Sequence, residues 1–94
     1  MNANQVLAAL DNASVAHAAP DGRRILSQEA NSLRAHIQRA ERAAKLEQQM
    51  GKIKGASQQA EAQRADIQRQ LRAVGAVDVA GAIAEARRTL ALWS

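Results

Sequence analysis

Residues 25–55 read ILSQEANSLRAHIQRAERAAKLEQQMGKIKG, and this stretch decides the fold. Leu26, Ala30, Leu33, Ile37 and Ala40 are separated by four, three, four and three residues. That is the a/d spacing by which one helix lays an apolar seam along another. After Ala40 the apolar positions continue at Ala43, Leu46, Met50 and Ile53, so the spacing contracts locally to three and three. Such a contraction is a stammer in the seam, or the approach of a helix end.

The glycines at 51 and 55 give the stretch two readings. As a loop, Lys52 and Lys54 lie in a last turn, Gly55 follows the cap and Ser57 caps the next helix. The flanking helices then fold back as an antiparallel hairpin. As continuous helix, each Gly costs about 1 kcal/mol relative to Ala, and the result is one long central helix with short flanking helices. Two glycines, the register contraction and the Ser cap favour the break. The expected class is therefore all-α: an antiparallel helical hairpin or small four-helix bundle with a coiled-coil-like seam.

Working outward, two further breaks divide the chain. Ala19-Pro20-Asp21-Gly22 combines a proline, which disfavours helix at the preceding residue, with a turn-forming Asp-Gly pair. In Val74-Gly75-Ala76-Val77-Asp78, Gly75 closes one helix and Asp78 caps the next. The spacing predicts helices over about Ala3–Ala18, Gly22–Met50, Ser57–Val74 and Val79–Trp93, in one domain spanning 1–94. The first carries Ala3, Val6, Leu10 and Ala13 on one face, with Leu7 alongside. The third carries Ala60, Ile67, Leu71 and Val74, with Arg64 in a core slot, from which it is expected to snorkel along the seam or pair with Glu61. The fourth carries Val79, Ile83, Ala86, Leu90 and Trp93.

The material for a core is sparse. The chain has no Phe, no Tyr and one Trp, and Leu, Ile and Val make up 18 of its 94 residues. An apolar core this small is marginal alone, which makes association an expectation. Without aromatics there is no stacking platform for unpaired bases. The absence of cysteine excludes disulfides, thiolate zinc sites and a thiol nucleophile. The N-terminal stretch MNANQVLAAL lacks a basic segment and Asp11 interrupts it, so no signal peptide is read. No run approaches the roughly 18 apolar residues of a membrane span. A soluble, cytoplasmic protein is expected. The Ala, Arg and Gln usage is compatible with a bacterial or phage source.

The residues that carry chemistry are few. His17 and His36, the two histidines, stand in no metal-ligand spacing, and a metal site requires them to converge with acids such as Asp21 or Glu29. Acids with a base three or four positions on (Glu41 with Lys45, Glu61 with Arg64, Asp66 with Arg69, Glu85 with Arg88) read as pairs on a solvated helix face. There is no Gly-x-Ser-x-Gly elbow and no phosphate loop. No catalytic residue, metal or cofactor is expected.

Two function classes remain. The first is a non-enzymatic helical protein–protein interaction module, self-associating or bound to a larger partner, as in phage, secretion or other assembly accessories. Its interface residues are Val79, Ile83, Leu90 and Trp93; Trp93 either staples the last helix onto the bundle or anchors a partner, Trp being enriched among interface hot spots. The second is a basic helical nucleic-acid-binding accessory protein. The net charge is +4 with a pI of ≈ 10.7. Arg42, Lys45 and Lys52 share one helix face bordered by Arg39, with Lys54 nearby. These five are the candidate anion-binding residues.

Overall fold

A computed structural model describes residues 1–93. Four helices follow one another: α1 (Ala3–Ala16), α2 (Pro20–Lys52), α3 (Gln58–Val74) and α4 (Val79–Trp93). No strand occurs among the described residues.

Three of the four helix starts are set by a side chain that satisfies backbone N–H groups left free at a helix terminus. Asn2 accepts from the Gln5 amide at 2.8 Å, and the Gln5 side chain accepts from the Asn2 amide at 2.9 Å. This is a reciprocal capping box. Ser57 accepts from the Ala60 amide at 3.1 Å and opens α3. Asp78 accepts from the Gly81 amide at 2.8 Å and opens α4. Helix α2 starts differently. The sequence predicts a turn at Ala19–Gly22, but Pro20 is the first residue of the helix, and the Ala19 carbonyl accepts from Arg23 at 3.1 Å. Proline suits this position because its missing N–H has no partner to lose there. Proline also disfavours helix in the residue before it. Helix α1 accordingly ends at Ala16, and His17 is extended (φ −71°, ψ 131°).

Beyond Lys52 the backbone leaves the helix, and Gly55 takes φ 90°. A helix running unbroken through both glycines does not form. The two glycines do different things. Gly51 is helical and exposed, and beyond its chain neighbours and its own helix backbone nothing lies within 4 Å of where a Cβ would stand. Gly55 has the left-handed φ that side chains resist. Gly51→Ala is therefore expected to raise stability by about 0.5–1 kcal/mol. Gly55→Ala is expected to lower it by about 1 kcal/mol. Urea midpoints of the two variants check this pair of opposite signs. The Arg64 guanidinium, half-buried, donates to the Gly55 carbonyl. It ties down the turn and does not pair with Glu61.

The chain comprises two compact units, Met1–Ile37 with Asp78–Ser94, and Gln38–Val77. The boundary at Ile37/Gln38 lies inside α2, just before the spacing contraction at Ala40. The contraction thus marks the change of unit, and the helix continues past it to Lys52.

In the first unit, Val6 and Leu10 of α1, Leu26, Ala30 and Leu33 of α2, and Ala86 of α4 form one buried cluster. Leu7, Ala13, Ile37, Ala82, Ile83, Leu90 and Trp93 pack around it. The only fully buried residue of α4 is an alanine, so small side chains let this helix approach closely. Polar ties join α1 to α2. Arg34 donates to both oxygens of Asp11, at 3.0 and 3.3 Å, and Ser14 donates to the Arg23 carbonyl at 3.0 Å. The Arg34 and Asp11 side chains are 41% and 50% exposed, so water screens the pair. It is worth at most about 1 kcal/mol. In the second unit, Leu46 of α2 and Ala60 and Ile67 of α3 are buried.

Candidate interaction surface

The four expected interface residues of α4 are all half-buried, and Ile83, Leu90 and Trp93 pack against the chain's own core. Trp93 does something more. Its ring meets the His17 ring edge-on, with centroids 6.2 Å apart and planes at 60°. Together with Ala13, Ala16 and Ala18, these two rings line a shallow apolar recess of about 480 Å³. The exposed large apolar side chains of this unit include Val15 at 84% and Leu92 at 81%, the latter one residue before Trp93. Neither belongs to the stripes read from sequence. An exposed Leu off the stripe carries no periodic signal, so only its accessibility reveals it.

A second recess, of about 280 Å³, is lined by Glu29, Ser32, Leu33 and His36 of α2, by Asp78, and by Gly81, Ala82 and Glu85 of α4. Two of its three carboxylates are already engaged. Asp78 caps α4, and Glu85 pairs with Arg88 at 2.6 Å. His36 and Glu29 meet here, but His17 lines the other recess. Among the described residues no group of three or more His, Asp or Glu is placed to hold a metal ion.

The five candidate anion-binding residues all fall in the second unit. Arg39 and Arg42 line a recess of about 270 Å³ with Gln70, Ala73 and Val74 of α3. Lys45, Lys52 and Lys54 are exposed and outside it. A carboxylate stands beside this recess, since Gln70 donates to Asp66 at 3.0 Å and Arg69 pairs with the same Asp66 at 3.2 Å. Of the four expected helix-face ion pairs, Asp66–Arg69 and Glu85–Arg88 form. Asp21–Arg24, at 3.6 Å, joins them as a third pair one turn apart.

No helix among the described residues is long and apolar enough to cross a membrane. Comparison with protein-family models, curated proteins and solved structures finds no match to this chain.

Proposed function

We propose that this chain is a non-enzymatic, cytoplasmic helical module that binds another protein or a second copy of itself, of the kind used as assembly or regulatory accessories. One observation carries the reading. At the C-terminal ends of α1 and α4, a half-buried Trp93 borders an apolar recess while Leu92 beside it is 81% exposed. An aromatic anchor set in a shallow apolar hollow is the arrangement in which interface energy concentrates. In this reading α1, the first half of α2 and α4 act as a small bundle. The second half of α2 and α3 act as an antiparallel hairpin with a coiled-coil-like seam. The Gly55 turn and the recess shared by Arg39, Arg42, Gln70 and Val74 support side-by-side packing of α2 and α3.

The test uses Leu92→Glu. Its side chain is exposed, so the melting temperature is expected to stay within the small range typical of surface changes. Association is expected to weaken, read as loss of a concentration-dependent sedimentation coefficient or of a photo-crosslink placed at position 92. A wild-type protein that stays monomeric at all concentrations and crosslinks to nothing in its host's extract would refute the proposal.

A second reading, nucleic-acid binding, is favoured by Arg39 and Arg42 sharing one recess. It predicts affinity for duplex DNA that falls with salt, with a log–log slope near 0.9 per phosphate contacted. Unchanged binding after charge reversal at Arg42 and Lys45 would sink it.

A further inference from the structure

His17 stands where three helix termini meet, and its ring is held on three sides. Its Nδ1 accepts the Ala19 amide hydrogen at 3.1 Å, one residue before Pro20 opens α2. Its edge meets Trp93, the last residue of α4, at 6.2 Å between centroids. Beneath it lies Gly22, a buried residue at which a Cβ would come within 2.3–2.6 Å of the ring atoms. The imidazole thus lies flat on a backbone that only glycine leaves open.

We propose that His17 is a proton-operated latch for the C-terminal end of α4. An N–H can only donate, so the bond from Ala19 requires a bare lone pair on Nδ1, which the neutral ring has and the imidazolium lacks. Adding a proton to Nδ1 sets two donors against each other. Of the helix termini meeting here, the N-terminus of α2 disfavours a cation while the C-termini of α1 and α4 favour one, so the clash of donors at Nδ1 decides the outcome. The alternative lies one peptide away, at the C-terminus of α1, where the last carbonyls have no intrahelical partner and no basic side chain occupies the last turn. A protonated ring turns from Ala19 towards those carbonyls, and in turning it leaves Trp93. No other titratable side chain lines the recess to offset the charge, since its remaining walls are Ala13, Ala16 and Ala18. Among the acids of this unit, Asp11 pairs with Arg34, Asp21 with Arg24 and Glu85 with Arg88. Arg23 and Arg87 are exposed and outside the recess.

Trp93 is the chain's single tryptophan and reports the latch directly. Between pH 8 and pH 5 its emission is expected to shift to the red and its indole hydrogen to exchange faster. His17→Asn places a non-titrating oxygen acceptor near Nδ1 and is expected to remove the transition. His36→Gln is expected to keep it. In case His17→Asn fails to fold, spectra of labelled wild-type protein provide a second arm. There the Ala19 amide and Trp93 indole resonances are expected to move together with the His17 ring signals. Three results would overturn the proposal. The first is emission quenched by the imidazolium at unchanged wavelength, since the rings would then have stayed together. The second is a transition that persists in His17→Asn. The third is an Ala19 amide that does not follow the His17 titration.

Discussion

Leu26→Ala is expected to remove about 3–4 kcal/mol of stability, read as a fall in the urea midpoint at unchanged slope. Leu26 has no exposed surface and belongs to the cluster of Val6, Leu10, Ala30, Leu33 and Ala86. Buried Leu→Ala changes cost about 2–5 kcal/mol, and the position in that range depends on how well neighbours collapse into the space. Here they collapse poorly. Two of the five are alanines and one is a β-branched valine with little rotamer freedom. Neither Met1 nor Met50, the adaptable gap-fillers of other cores, belongs to the cluster. A small domain has about 5–15 kcal/mol in all, so this one change consumes a large part of it. A loss below about 1 kcal/mol would mean that α1, α2 and α4 do not converge on Leu26.

The same paucity of side chains explains what was legible in the sequence. Helix α4 runs Val79–Trp93 as the spacing predicts, because a capping Asp at 78 and a closing Gly at 75, with φ 83°, punctuate it on chemical grounds that need no tertiary contact. The seam positions Leu26, Ala30 and Leu33 are buried as their spacing implies. One local signal misled, and another was left open. Pro20 reads equally as a turn residue and as a first helical residue, and the choice depends on whether the preceding carbonyl finds an amide. The spacing contraction after Ala40 reads as a stammer or as the approach of a helix end; it falls close to where the chain passes from one compact unit to the other, and the helix ends at Lys52. The candidate site was less legible. Trp93 stands out by being alone. Its partner His17 lies 76 positions away, and the fit of that ring against Gly22 leaves no trace in periodicity. The basic residues of α2 share a face by arithmetic, and Arg39 and Arg42 line a recess with Gln70 and Val74 of α3, a juxtaposition that spacing along one helix does not reveal.

Trp93→Ala is expected to cost about 2–3 kcal/mol and to fray the last turns of α4. The figure lies below the roughly 3–5 kcal/mol of a wholly buried Trp, because the ring is half-buried. Three contributions disappear together: its packing against the core cluster, the edge-to-face contact with His17, and the docking of a helix too short to persist alone. An aromatic pair in this geometry adds about 0.5–1.5 kcal/mol beyond the area it buries. Hydrogen exchange distinguishes fraying from global unfolding. Amides near residues 88–93 are expected to lose protection first, while those around Leu26 and Leu33 keep theirs until the whole unit melts. The variant also separates two roles that Trp93 combines, since it both packs on the chain's own core and borders an open recess. Partner binding lost in Trp93→Ala but kept in Leu92→Glu would mean that the fold of α4, and not its exposed flank, is what the partner requires. Binding lost in both, with Leu92→Glu melting normally, assigns recognition to the surface itself. Full protection at the end of α4 in Trp93→Ala would show that Ile83, Ala86 and Leu90 dock the helix without it.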